Sequence, residues 1–121
     1  MPKLLIVDDE QDVTEFGKNF FRKRKFDVTT ASNGPEALEI IQSDKPDIML
    51  LDIKMEGMDG LEVLEKVMQI SGDIRVIMVT GIEDKEAMDR AKELGAKGYI
   101  HKPLILEELE QVVLKEAAKL K

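Results

Sequence analysis

The chain has no cysteine, so a disulfide framework is excluded and a cytoplasmic setting is the default expectation. It has no apolar run long enough to cross a bilayer, and Met1-Pro2-Lys3 leads straight into a short apolar segment without the layout of a signal peptide. Positive charge is in short supply. Against 25 Asp and Glu stand 18 Lys and Arg, and the net charge of -7 argues against nucleic acid as a direct partner, since phosphate binding needs a basic face. The one basic cluster, Arg22-Lys23-Arg24-Lys25, is expected in the last turn of a helix, where cations complement the negative end of the dipole. Internal repeats, low-complexity tracts and linkers are absent too. The 121 residues, 43% of them hydrophobic, therefore read as one domain, 1–121, able to bury a single core without disulfide or metal staples.

What is present is an alternation. Leu4-Leu5-Ile6-Val7, Ile48-Met49-Leu50-Leu51 and Arg75-Val76-Ile77-Met78-Val79 read as strands buried on both faces, the signature of a parallel sheet flanked by helices. Asp27-Val28-Thr29-Thr30-Ala31 and Lys97-Gly98-Tyr99-Ile100-His101 are mixed and belong at the edges. Between them lie helical stripes: Val13, Phe16, Phe20 and Phe21; Ala37, Leu38 and Ile41; Leu61, Leu64, Val67 and Met68; Ala87, Ala91 and Leu94; and Leu106, Leu109, Val112, Val113 and Ala117. The fourth stripe is weakly apolar, which predicts a loosely held helix, with Gly95 at its left-handed cap. Five strands, each followed by a helix, predict an α/β fold with a doubly wound five-stranded parallel sheet. The order 2-1-3-4-5 puts the three apolar strands in the middle and the chain reversal between the first and third.

Each central strand ends in a polar group. Asp52 alone reads as a turn residue, but the predicted order brings Asp8 and Asp9 beside it at the sheet's carboxyl edge. Two carboxylates about 4 Å apart repel by roughly 4 kcal/mol at an effective dielectric of about 20, so the cluster calls for a counter-ion. Oxygen-only ligands suit a hard cation such as Mg²⁺. Thr80 and Lys102, at the ends of the fourth and fifth strands, complete a clamp for a phosphoryl group, with Asp52 as the candidate nucleophile. Without metal, Asp9→Asn is expected to relieve repulsion and raise the melting temperature.

With Asp8-Asp9, Asp52, Thr80 and Lys102-Pro103 in this order after alternate strands, the chain from Lys3 to the last helix resembles a receiver domain of bacterial two-component response regulators. The resemblance implies a flavodoxin-like receiver fold and a phosphorylation-dependent signalling switch rather than an enzyme. Asp52 would accept phosphate from a sensor histidine kinase or histidine phosphotransfer protein. Mg²⁺ or Mn²⁺ would be held by Asp8, Asp9, Asp52 and the main-chain carbonyl of Lys54. Thr80 and Tyr99 would read the phosphate, Lys102 would pair with it, and the Lys102-Pro103 bond is expected to be cis. The face made by the fourth helix, fifth strand and closing helix would change shape towards a downstream protein partner or an output domain outside these residues. Neither nucleic acid nor membrane is expected as a direct partner, and the protein would be a monomer or a phosphorylation-dependent dimer.

One departure stands out: where such domains carry methionine, proline and glycine after the phosphoacceptor, this chain has Met55-Glu56-Gly57. Lys54 and Ile82 are expected to flank an attacking water and to slow hydrolysis. His101, the only histidine, reads as a strand-end side chain, and Met55 and Met58 as loop packing. A phosphatase or mutase using an aspartyl-phosphate fits less well, since it wants its nucleophile after the first strand and a cap segment. A flavin carrier of the same sheet order needs a phosphate-binding first loop, which the pair Asp8-Asp9 would repel.

Overall fold

The computed structural model describes residues 1–55, 57–81 and 85–120. Its elements alternate without exception: β1 (Lys3–Val7), α1 (Gln11–Arg22), β2 (Asp27–Ala31), α2 (Gly34–Ser43), β3 (Ile48–Asp52), α3 (Gly60–Ile70), β4 (Arg75–Thr80), α4 (Lys85–Leu94), β5 (Gly98–His101) and α5 (Leu106–Ala117). All strand pairs are parallel, and the sheet order is β2-β1-β3-β4-β5. The central strands are those without polar alternation, because only they can be covered on both faces.

Alternate side chains of each strand go to opposite layers. Leu5, Val7, Met49, Leu51, Val76 and Met78 pack towards Ala37 and Ile41 of α2, Val63, Leu64 and Val67 of α3, and Ala91 of α4. Leu4, Ile6, Ile48, Leu50, Ile77 and Val79 pack towards Phe21 of α1 and Leu109 and Val113 of α5. Local signals set the helix starts. Asn33 caps α2 by accepting from the Glu36 amide at 2.8 Å, and Asp59 caps α3 by accepting from the Glu62 amide at 3.0 Å. Gly95, at φ +112°, ends α4 in the left-handed conformation that glycine adopts without cost. Of α4, only Ala91 is fully buried, in keeping with the weak stripe.

Helix α1 departs from its predicted face. Its buried residues are Thr14, Gly17 and Phe21, whereas Phe16 is 46% exposed. The cause is Gly17, where a Cβ would stand 2.8 Å from Ile6 Cδ1, so the helix lies against β1 along its smallest residue. Phe20 flanks the seam, edge-on to Phe21, which is in turn edge-on to Phe26. The basic cluster differs as well. Only Arg22 lies in the last helical turn; Lys25 has φ +67°, and Arg24 lies 3.6 Å over the Phe20 ring while its guanidinium pairs with Glu110 of α5. Contacts with neighbouring elements, more than the helix dipole, account for its position.

At the opposite end of the sheet from the acid pair, Glu116 of α5 is buried, with Arg75 Nε at 3.5 Å and Lys119 Nζ at 3.4 Å. Removing one partner of a buried ion leaves it undercompensated. Arg75→Met is expected to destabilise the fold by roughly 1–3 kcal/mol, less than a fully isolated buried charge because Lys119 remains. Urea denaturation checks this, and a midpoint equal to that of the unsubstituted protein would show that Lys119 alone satisfies Glu116.

Candidate functional site

Strand register brings the polar groups together. Val7 pairs with Leu51, Asp52 with Val79, and Thr80 with His101, so the residues that follow the strands emerge side by side at the carboxyl edge. Backbone hydrogen bonds extend the ladders past the strand ends: Asp8 N–H to Ala31 O at 3.2 Å, Ile53 N–H to Val79 O at 3.0 Å, and Lys102 N–H to Thr80 O at 2.7 Å. Asp8, Asp52 and Thr80 are each 3% exposed, while Asp9 lies at the surface.

Lys102 ties the acids together. Its Nζ is 3.3 Å from Asp52 Oδ2, 3.4 Å from Asp8 Oδ2 and 3.6 Å from Glu10 Oε1. The peptide bond from Lys102 to Pro103 is cis, as the resemblance implied. Burial pushes the Asp52 carboxyl up to about 6; the nearby charge of Asp8 adds to this, while Lys102 and the Lys54 amide oppose it. Asp8 is raised too, by burial, against the pull of the Glu10 amide, which donates to Asp8 Oδ1 at 2.9 Å, and of Lys102. For Lys102, burial works to lower the pKa, but the attraction of Asp52 and Asp8 outweighs it and the net shift is upward. One ammonium thus serves more negative charge than it neutralises, which is the electrostatic condition for binding a cation.

Asp8, Asp9 and Glu10 each bring a carboxylate oxygen within 4.8 Å of the others. These hard oxygen donors, with Asp52 joined to Asp8 through Lys102, fit Mg²⁺ or Mn²⁺. Glu10 is the residue that reading strand ends alone passes over. It lies one position beyond the acid pair as the N-cap of α1, and a third consecutive acid in the sequence was its only signal. Lys54 is exposed and gives its amide to Asp52. Tyr99 is half-buried on β5 opposite Met78, beside Met88 and Asp89 of α4. His101 is an exposed strand-end side chain, whereas Met55 is buried in the core beneath α2 and α3, and Met58 packs against that core and against Gly34. Glu56 and Ile82 lie outside the described residues.

The sequence matches the response regulator receiver domain family over residues 4–114. The chain belongs to that family. This receiver is 37% identical over 113 residues to sporulation initiation phosphotransferase F of Bacillus subtilis (strain 168), covering 93% of this chain and 91% of that protein. It is 34% identical over 116 residues to the probable C4-dicarboxylate response regulator DctR of the same organism, covering 93% of this chain and 51% of that protein. The receiver thus spans nearly all of one curated relative and about half the length of others. Among solved structures, the receiver domain of the Francisella response regulator 1452 matches with TM-score 0.92 at 27% identity, covering 100% of both chains. Chemotaxis protein CheY4 of Vibrio cholerae matches with TM-score 0.91 at 28% identity, covering 95% of this chain and 98% of its own. The protein is a receiver of two-component signalling, a class of domain that acts as a phosphorylation-dependent switch. No helix among the described residues is long and apolar enough to cross a membrane.

Proposed function

We propose that Asp52 is the phosphoacceptor of this receiver and takes its phosphoryl group from a histidine of a sensor kinase or histidine phosphotransfer protein. The observation that carries this is the buried Asp52 carboxylate, held 3.3 Å from the Lys102 ammonium at the open end of the sheet. With its pKa near 6, Asp52 is ionised at neutral pH yet more basic than an ordinary carboxylate, a suitable nucleophile. One Asp52 oxygen attacks phosphorus, the P–N bond of the phosphohistidine breaks, and the imidazole nitrogen leaves with the bonding pair and takes a proton. Lys102 then pairs with the phosphoryl oxygens in place of the carboxylate, and the Thr80 hydroxyl donates to one of them. The cation would be held by Asp8, Asp9, Asp52 and the Lys54 main-chain carbonyl, and when bound it supplies neutralising charge for the phosphoryl oxygens.

The donor histidine is taken to sit on a helix lying in the groove beside Lys102, lined by Val13, Phe16, Pro103 and Leu104. Thr80, drawn towards the phosphate, and Tyr99, on the neighbouring strand, relay occupancy to α4, β5 and α5, where the weak anchoring of α4 permits rearrangement. That face would act on a downstream protein, or on an output domain of a longer chain such as those of which this receiver matches about half the length. Residues 1–121 form one receiver domain, cytoplasmic, monomeric or dimerising on phosphorylation, that signals rather than turning over a substrate.

Incubation with Mg²⁺ and acetyl phosphate tests the assignment. Mass spectrometry is expected to show one covalent phosphate, lost in Asp52→Asn and in the presence of chelator. Equal labelling of Asp52→Asn would place the acceptor elsewhere, and phosphate release without an adduct would point to a phosphatase.

A further inference from the structure

Glu10 uses its position oddly. It is the N-cap of α1 but not one of the short polar residue types that usually cap, and its side chain makes no capping bond. Instead the carboxylate reaches Lys102, at 3.6 Å, and it is 66% exposed, at the mouth of the crevice where the donor groove begins. Asp12 lines the same groove and Asp9 lies in the same acid cluster, while Lys102 is the one basic side chain that lines the groove among the described residues. Any phosphoryl group that approaches Asp52 and engages Lys102 comes within a few ångströms of this extra negative charge.

We propose that Glu10 selects the phosphodonor: acting through Lys102, it disfavours doubly anionic small-molecule donors relative to P–N donors of lower net charge, such as phosphohistidine. The proposal rests on Asp52 being the acceptor and concerns only which donors deliver to it. The transfers balance in both cases. From an acyl phosphate the P–O bond breaks and the carboxylate leaves with the electron pair; from phosphoramidate the P–N bond breaks and ammonia leaves with the pair. The approaching donors differ in charge, and a fixed anion a few ångströms from their path repels the doubly charged one more. Because Glu10 lies in high-dielectric surroundings, the discrimination is modest and sensitive to salt. Glu10 is therefore a positioning and selecting residue, outside the reacting atoms.

The experiment uses the full chain at saturating Mg²⁺, so that altered metal affinity does not enter. Initial rates of covalent phosphate formation are measured with acetyl phosphate and with phosphoramidate, at low salt and at about 0.5 M salt. Glu10→Gln is expected to raise the ratio of the acetyl phosphate rate to the phosphoramidate rate by about threefold at low salt, and Glu10→Lys to raise it further, both effects shrinking at high salt. A purely structural role for Glu10 would move both rates together. A ratio unchanged in both variants overturns the proposal. Labelling that persists in Asp52→Asn overturns the acceptor assignment instead, so the two failures are distinguishable.

Discussion

Asp52→Asn is expected to make the metal-free protein more stable at neutral pH, although on the proposed assignment the same substitution would abolish its phosphorylation. The Asp52 carboxyl is raised from 3.8 to about 6 by burial and by Asp8. A folded-state pKa above the unfolded one means that the native state binds the extra proton between these values. The stability contributed by the protonated group is full below about pH 4 and is lost as pH rises through about 6. At pH 7.5 the ionised Asp52 therefore costs the native state roughly 2–3 kcal/mol, even with Lys102 beside it. Asparagine carries no such cost, so the variant gains that amount at pH 7.5 and nothing near pH 3.5. Urea denaturation in chelator across this range is the measurement. Equal stabilities at pH 7.5 would show that the anion is comfortably solvated in the fold. Magnesium is expected to reverse the ranking, because on the proposed assignment it would stabilise the native wild type by mass action while the variant would lack one ligand. For the same reason the gain from Asp9→Asn should be smaller, since Asp9 is exposed and Asp52 is not.

Gly60→Ala is expected to be among the most damaging single-methyl additions in the chain. Gly60 opens α3, and its amide donates to Ile53 O at 2.7 Å. A Cβ there would stand 2.2 Å from the Asp52 carbonyl oxygen and 2.7 Å from Ile53 Cα, both backbone atoms with no rotamer by which to retreat. The helix must lift from the strand end, or the strand end must move. Overpacking of this kind costs about 3 kcal/mol or more, and here the displaced backbone carries the proposed phosphoacceptor. Both the melting temperature and the rate of phosphate uptake should fall. Gly57→Ala serves as the control: nothing lies within 4 Å of its Cβ, and only the cost of φ +78° is incurred, so the acceptor rate should change little. A Gly60→Ala protein within about 0.5 kcal/mol of wild type would mean that α3 is free to slide over β3.

Much of the site was legible because it sits at strand ends. An apolar run that stops at a carboxylate marks both the strand and the edge at which the side chain emerges, so Asp8, Asp52 and Thr80 could be placed from local pattern alone. Which strands are central followed from which runs lacked polar alternation, and the order 2-1-3-4-5 is one that satisfies it. Glu10 was harder, since one more acid at a helix start is ordinary and only the 3.6 Å approach to Lys102 sets it apart. Helix α1 was misread at its buried face for a related reason: periodicity rewards large apolar residues such as Phe16, while the true contact runs through Gly17, which hydrophobic patterning does not register.

The sequence by itself determined the alternation of five strands and five helices, the central place of β1, β3 and β4, and the gathering of acids at one edge, because each depends on local periodicity and on where an apolar run ends. The tertiary structure alone decided which of those acids are buried, that Lys102 is shared among Asp52, Asp8 and Glu10, and that Gly60 rests on the backbone of Asp52. These follow from the packing of residues far apart in the chain, where a few tenths of an ångström and the exclusion of water set both the charge balance and the room left for a side chain.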